Sequence, residues 1–86
     1  MKLRLRYFAS LREALGAGEA LDWDAPIADR PATAGELRAW LRTRSPAHAH
    51  ALAPGRAVRV AVDQALADDS TPLHDGVEVA FFPPVT

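Results

Sequence analysis

The chain opens with a strict alternation of polar and apolar residues. In the stretch KLRLRYF, two leucines and a tyrosine take one face, whereas three basic residues and Phe8 take the other. A period of two residues is typical of a strand that buries one face. The stretch VEVAFF, which begins at Val77, repeats this pattern and predicts a closing strand.

The period changes to that of a helix in two places. Ser10 and Glu13 have the S-x-x-E spacing of a capping box and Gly16 supplies a stop, which together predict a short first helix. Thr33 and Glu36 repeat the spacing ahead of a longer apolar stripe, which predicts the main helix. The stripe consists of Leu37, Trp40 and Leu41.

Further alternating stretches complete the pattern. EALDWD lies between the two helices, VRVAVD and QALA follow the second helix, and an Asp75-Gly76 turn precedes the closing strand. The segment AHAHALAPG, which follows Pro46, is expected to be a short helical or irregular crossing. This order of elements predicts a single α+β domain over residues 1–86, with a mixed sheet packed on one main helix.

Two phenylalanines fall on the polar faces of the outermost strands. Phe8 shares its face with the basic residues of the first strand, and Phe82 shares its face with Glu78 and Ala80. Burying a phenylalanine is worth roughly 1.5 to 3 kcal/mol, so two exposed rings on neighbouring strands favour a partner site. A twist or bulge that tucks the rings over the edge of the core explains the pattern equally well.

Size, charge and cysteine content exclude several classes of function. A chain of 86 residues has one small core, which argues against a large multistep enzyme. The net charge of -1 gives no general attraction to nucleic acid or an anionic membrane, and the absence of cysteine excludes thiolate chemistry and cysteine metal sites. No apolar run approaches the ~18 residues of a membrane span, and the alternating start differs from a signal peptide. We therefore expect a cytoplasmic protein with protein or small-molecule partners.

Other polar groups are weak candidates for chemistry. His48, His50 and His74 are expected at the surface rather than around a metal, because no organised carboxylates complete a site. Asp68 and Asp69 lie among turn-forming residues and are expected to be solvated. Trp23 and Trp40 are expected in the core or at its edge.

Three stretches carry a resemblance to a known family. YFASLRE, VDQALA and DGVEVAFFPPVT together resemble MoaD, the family of sulfur-carrier small subunits of molybdopterin synthase, and the FFPPV tail is the most specific of them. The resemblance covers essentially the whole chain in the same order. It implies a ubiquitin-like β-grasp fold, with the first and last strands adjacent and parallel.

The resemblance also implies a reaction cycle. An E1-like, MoeB-like enzyme would use ATP to adenylate the C-terminal glycine carboxylate, and a sulfur donor would convert it to a thiocarboxylate. The charged carrier would then bind the large subunit, a MoaE-like protein, and give its sulfur to a pyranopterin precursor. The carrier itself would bind no cofactor or metal, supply no catalytic acid or base, and be inactive alone.

Individual residues match the family's functional surfaces. The resemblance assigns the partner interface to Phe8, Arg12, Leu66 and Phe82, and the inserted tail to Pro83, Pro84, Val85 and Thr86. Leu66 taken alone is typical of a core residue, and Arg12 taken alone is typical of a solvated helix. The two prolines fix their φ angles and donate no ladder hydrogen bond, so they hold the tail extended and reduce the entropy lost on entering a pocket.

The end of the sequence departs from the family pattern. Family members finish with Gly-Gly after the position that matches Thr86, where this sequence stops. A terminal glycine suits the chemistry because a residue without Cβ can pass a narrow channel, whereas a β-branched threonine is stiff and bulky. We expect the natural chain to continue beyond Thr86, since chain termini are commonly disordered, and a true end there would make the protein an inactive carrier or one that needs other processing. Two alternatives remain: a ubiquitin-like binding module without sulfur chemistry, which a true end at Thr86 would favour, and a carrier for thiazole or thio-nucleoside synthesis, against which the FFPPV tail argues.

Overall fold

The strands predicted at the two ends of the chain lie side by side at the centre of one sheet. A computed structural model describes residues 1–24 and 29–84. Its strands are β1 (Lys2–Tyr7), β2 (Gly18–Asp22), β3 (Arg59–Val62), β4 (Ala65–Ala67) and β5 (Val77–Phe82). They are ordered β2-β1-β5-β3-β4, with β1 and β5 parallel and the remaining neighbours antiparallel. The predicted adjacency of the first and last strands is confirmed.

Alternation along β1 and β5 builds the inner face of the sheet. The register pairs Leu3 with Val77, Leu5 with Val79, and Tyr7 with Phe81. All six side chains are buried, and the rings of Tyr7 and Phe81 stack with centroids 6.3 Å apart. The opposite, outer face of these strands carries the polar residues predicted for it.

In the described ranges, three helices cover the inner face. They are α1 (Ala9–Leu15), α2 (Ala34–Leu41) and α3 (Pro46–Ala51). Leu37 and Leu41 of α2 are completely buried, as expected for the main helix, while Leu11 of α1 and Ala51 of α3 extend the same core. This topology, a mixed sheet wrapped around a principal helix, is the ubiquitin-like β-grasp.

One of the two predicted capping boxes forms. The Thr33 hydroxyl accepts the Glu36 N–H at 3.2 Å, and the Glu36 carboxylate accepts the Thr33 N–H at 3.1 Å, so α2 begins as predicted. The prediction for Ser10 and Glu13 is wrong. The N-terminal cap of α1 is Phe8, which makes no side-chain capping bond, because β1 turns directly into the helix and places Ser10 inside its first turn.

The segment after α2 resolves as a helix rather than an irregular crossing. Ser45 is extended and caps α3 by accepting the His48 N–H at 3.1 Å, with Pro46 in the first helical position where its missing N–H costs nothing. The Arg38 side chain closes the other end by donating to the carbonyls of Leu52 and Ala53. Arg38 thereby fixes α3 against α2.

The two tryptophans lie at the edge of the core. Trp23 and Trp40 are half-buried and meet edge to face, with ring centroids 4.8 Å apart. The Arg44 guanidinium lies 5.2 Å from the Trp40 ring centre and also forms an ion pair with Glu19 of β2. This cluster shields the β2 side of the core, which agrees with the expectation from sequence.

Candidate functional site

The outer face of the sheet carries an apolar strip near the C-terminal end of β5. Leu66 of β4 pairs with Ala61 of β3, and Ala61 pairs with Ala80 of β5. Phe82 lies two residues beyond Ala80 on the same face of β5. Phe8 follows the end of β1 and donates its backbone N–H to the carbonyl of Phe81 at 3.2 Å. We call these residues the apolar patch: Phe8, Ala61, Leu66, Ala80 and Phe82.

The patch contains the most exposed large apolar side chains among the described residues. Leu66 is 67% exposed and Phe8 is 39% exposed. Leu66 therefore lies outside the core, although its residue type alone indicated a core position. Phe82 is half-buried, so the expectation that both phenylalanines face water holds for Phe8 and only partly for Phe82. Neither ring joins the inner core, where Phe81 is 1% exposed.

Arginines of β1, β3 and α1 lie beside the residues of the patch. The guanidinium of Arg6 lies 5.2 Å from the centre of the Phe8 ring, within the range of a cation–π contact, and 3.8 Å from the Glu78 carboxylate. Arg59 of β3 pairs in register with Phe82 and is exposed. Arg12 is exposed on α1, and its backbone N–H donates to the Phe8 carbonyl at 3.3 Å. The patch thus combines apolar side chains with nearby arginines.

The chain leaves the sheet directly beside this patch. Ladder pairing in β5 ends at Phe82, and Pro83 and Pro84 continue outside any regular element. Proline cannot extend a ladder, which explains why the strand stops here. Val85 and Thr86, the remaining residues of the predicted tail, lie outside the described residues. The direction of β5 and the position of the patch place the exit of the tail and the apolar patch on the same side of the molecule.

A polar cluster occupies the opposite end of the outer face. Asp63, in the turn after β3, accepts the Glu78 N–H at 3.0 Å and lies 2.6 Å from Nε2 of His74. The Glu78 hydrogen bond, followed by the His74 contact, lowers the pKa of Asp63. The Asp75 carbonyl, which accepts from His74 Nδ1, and then the Asp63 carboxylate raise the pKa of His74. These contacts join the start of β5 to the β3–β4 turn.

Several other polar groups have structural partners. His48 contacts the Ser45 hydroxyl at 2.7 Å and His50 contacts the Arg56 guanidinium at 3.0 Å. Asp68 accepts the Ser70 hydroxyl at 2.6 Å, and the Ser70 contacts lower the pKa of Asp68. Within residues 1–24 and 29–84, no group of three histidine, aspartate or glutamate side chains is arranged to hold a metal ion.

The arginines at positions 6 and 59 are the residues that sequence reasoning missed. Strand parity placed Arg6 on the face of Phe8 but gave no reason to single it out. Arg59 belongs to a strand distant in sequence, and only the β3–β5 register brings it beside Phe82. The position of Arg59 beside Phe82 could not be predicted without knowing the register between these two distant strands.

Comparisons with known proteins agree with this geometry. A sequence profile of the ThiS family matches residues 5–86. The chain is 40% identical over 84 residues to the molybdopterin synthase sulfur carrier subunit of Escherichia coli K12, covering 98% of this chain and 96% of that protein.

Solved structures share the fold over the full length. SAMP1 from Haloferax volcanii has a TM-score of 0.74 at 25% identity, covering 100% of this chain and 98% of that one. A protein–protein complex of subunits 1 and 2 of molybdopterin-converting factor from Helicobacter pylori contains a chain with a TM-score of 0.65 at 24% identity, covering 100% of this chain and 97% of that one.

Within the described part of the chain, no helix has the length and apolarity needed to cross a bilayer.

Proposed function

The chain belongs to the ThiS family, and we propose that it is the sulfur carrier subunit of a molybdopterin synthase. The observation that carries this function is the 40% identity to the E. coli sulfur carrier subunit, which extends over 98% of the chain. An identity of this extent covers the fold, the apolar patch and the strand that leads into the tail, rather than one short motif.

The geometry supports a carrier that acts through its tail. The central strand β5 runs straight into Pro83 and Pro84, and the exposed patch lies next to that exit. A partner that binds the patch therefore receives the tail at a fixed position relative to its own surface. The prolines limit the conformations of the tail before binding, which lowers the entropy lost when it enters a pocket.

The partners follow from this role. The large subunit binds the patch and supplies the substrate pocket, and the H. pylori complex of two converting-factor subunits is the precedent for such a pairing. An E1-like adenylating enzyme, resembling MoeB, activates the C-terminal carboxylate with ATP, and a sulfur donor then replaces one carboxylate oxygen. ATP is bound by the activating enzyme and not by the carrier. The cycle is proposed to take place in the cytoplasm, as expected from a sequence that begins with an alternating stretch instead of a signal peptide.

The chemistry assigned to this chain is correspondingly limited. The described groups with shifted pKa values are held by structural contacts or, in the case of Tyr7, buried against Phe81. Burial raises the pKa of Tyr7 to about 12, so the phenol stays neutral at physiological pH. The carrier contributes a docking surface and a reactive terminus, while acid–base groups come from the large subunit.

Reconstitution of the synthase tests this function. A carrier prepared with Gly-Gly after Thr86 and a terminal thiocarboxylate, mixed with the large subunit and the pyranopterin precursor, should yield the dithiolene product with consumption of the thiocarboxylate. The same carrier with an ordinary carboxylate is the matched control and should yield none. A thiocarboxylated carrier that binds the large subunit and leaves the precursor unchanged would contradict the proposed function.

A further inference from the structure

Two arginines lie at the tail end of the outer face of the sheet. They are Arg6 of β1 and Arg59 of β3, whereas the basic and acidic residues of the far end lie together, with Lys2 paired in register with Asp22 and bound through its N–H to Asp75. The whole chain has a net charge of only -1, so the two arginines are a local feature and not a consequence of overall composition. A localised charge beside an apolar patch carries information about the surface that covers it.

Among the described residues Arg59 has no ionic partner, in contrast to Arg6, Arg44 and His74, which pair with Glu78, Glu19 and Asp63. Asp68, which follows the strand that pairs with β3, is held by its own loop through the Ser70 hydroxyl and N–H. Arg59 is exposed and adjacent to Phe82 across the ladder. Its guanidinium is therefore available to a group from outside the chain.

Arg6 is only partly neutralised on the other side of the patch. Its distance of 3.8 Å to Glu78 is long for an ion pair, and the Arg6 side chain is 54% exposed. The contact of Arg6 with the face of Phe8 uses none of the hydrogen-bond donors of the guanidinium. An arginine can donate two such hydrogen bonds to one carboxylate.

We propose that Arg6 and Arg59 select the partner by pairing with carboxylates on either side of the partner residues that contact Phe82. The inference rests on the proposed function, since the partner it describes is the large subunit. The two arginines lie on β1 and β3 and flank Ala80 and Phe82 of β5, while Leu66 on β4 extends the apolar contact beyond Arg59. Two separated charges fix the rotation of the carrier about the patch, which an apolar contact alone does not, and so direct the tail.

This arrangement makes a specific kinetic prediction. Charges at the border of an interface act mainly on the association rate and on its salt dependence, because they remain partly hydrated and are screened over about 10 Å at 0.1 M salt. The apolar centre acts mainly on the dissociation rate. Carrier variants at position 59 should therefore differ from variants at position 82 in which rate constant changes.

The experiment measures binding of the carrier to the large subunit by stopped-flow fluorescence at low and high salt. Arg59→Glu should lower the association rate about tenfold at low salt, and the difference from the unmodified carrier should largely vanish at 1 M salt. Arg59→Gln should show a smaller loss of the same kind. Arg42→Glu, at the C-terminal cap of α2 on the helical side, changes the net charge equally and should change the rate by less than about twofold.

Charge reversal in the partner identifies the carboxylate directly. A large subunit in which an acidic residue beside those that contact Phe82 is changed to lysine should restore fast association with Arg59→Glu and slow it with the unmodified carrier. Equal rates for Arg59→Glu, Arg59→Gln and Arg42→Glu would overturn the inference while leaving the proposed function intact. Failure of the unmodified carrier to bind the large subunit would instead overturn both.

Discussion

Phe81 and Phe82 are neighbours in the chain with opposite surroundings. Phe81 packs against Tyr7 in the core and is 1% exposed, whereas Phe82 lies half-buried on the outer face beside Arg59. Substitution of Phe81 therefore tests folding stability, whereas substitution of Phe82 tests partner binding. Substitutions at these two positions form a matched pair.

Phe82→Ala should weaken binding to the large subunit by about 2 kcal/mol or more, because it removes a central aromatic anchor. Phe81→Ala should instead lower the free energy of unfolding by about 3 to 5 kcal/mol, since it leaves a cavity between the sheet and the helices. Titration calorimetry and chemical denaturation measure the two effects. A Phe82→Ala carrier with unaltered affinity and a strongly lowered melting temperature would place Phe82 functionally in the core.

Gly18 matters for the local structure because it has no side chain. Its φ of 138° is rarely adopted by other residues, and an added Cβ would clash with the Leu5 carbonyl oxygen. Gly18→Ala should therefore destabilise the fold by about 3 kcal/mol, since both strain and a backbone clash oppose it.

Gly16 provides the control for this substitution. It has a φ of 90° but open space around the added atom, so Gly16→Ala should cost only about 1 to 2 kcal/mol. Urea denaturation of the two variants compares them. If Gly18→Ala lost only as much stability as Gly16→Ala, this would show that β2 shifts away from β1 to accommodate the alanine side chain at position 18.

At the scale of elements, two similar capping-box motifs in the sequence behave differently in the structure. Thr33 and Glu36 exchange capping hydrogen bonds at the start of α2, while Ser10 and Glu13 form none because α1 begins at Ala9. The S-x-x-E spacing is local information, and the start of α1 is fixed instead by the tertiary contact between Phe8 and the Phe81 carbonyl. The same motif therefore stabilises one helix only.

Thr33→Ala should lower the free energy of unfolding by about 1 kcal/mol, the usual contribution of an N-terminal cap. Ser10→Ala should change it by less than about 0.5 kcal/mol, as expected for an exposed helical position. Thermal denaturation followed by circular dichroism distinguishes the two. If Ser10→Ala lost as much stability as Thr33→Ala, Ser10 would cap α1 in solution, which would contradict the structure.

The contact between Asp63 and His74 predicts how the joint between β5 and the β3–β4 turn responds to pH. The raised pKa of His74 means that its contribution to stability is complete below the ordinary histidine value of 6.5 and is lost as the pH rises through the folded-state value. The lowered pKa of Asp63 means that its contribution is present above 3.8 and is lost as the pH falls through its folded-state value. The pair is therefore intact from mildly acidic conditions up to pH values above 6.5.

An NMR titration of the His74 ring measures this effect. Its pKa should lie above 6.5, and Asp63→Asn should lower it, because the carboxylate that favours the charged imidazole is removed. A His74 pKa that does not change in the variant would contradict the pairing.

At the scale of the whole molecule, alternation and helical period predicted most of the fold from sequence. The faces of β1 and β5, the cap of α2 and the stop at Gly16 follow from residues close together in the chain. The exposure of Leu66 and the position of Arg59 did not follow, because both depend on how β3 and β4 register against distant strands. Phe82 was only partly predicted, since parity gives the face of a ring but not how much neighbouring side chains cover it.

We propose that the apolar patch, the arginine pair and the exit of the tail act together at one interface. In this proposal the patch supplies binding energy, the arginines set the orientation, and the C-terminus supplies the chemistry. The proposed function requires a C-terminus that carries sulfur, and therefore a carboxylate that reaches the activating enzyme. Two further residues in an extended tail add roughly 7 Å of reach, and near-attack geometry tolerates little misplacement.

Intact-protein mass spectrometry tests this claim most directly. A carrier that ends in Gly-Gly after Thr86, incubated with its E1-like enzyme, ATP and a sulfur donor, should gain the mass expected when one oxygen is replaced by sulfur. A matched carrier that ends at Thr86 should keep its mass, because its carboxylate lies two residues short beside a stiff β-branched side chain. A Gly-Gly carrier that binds its partners but never gains sulfur would contradict the assignment and identify the protein as a ubiquitin-like binding module.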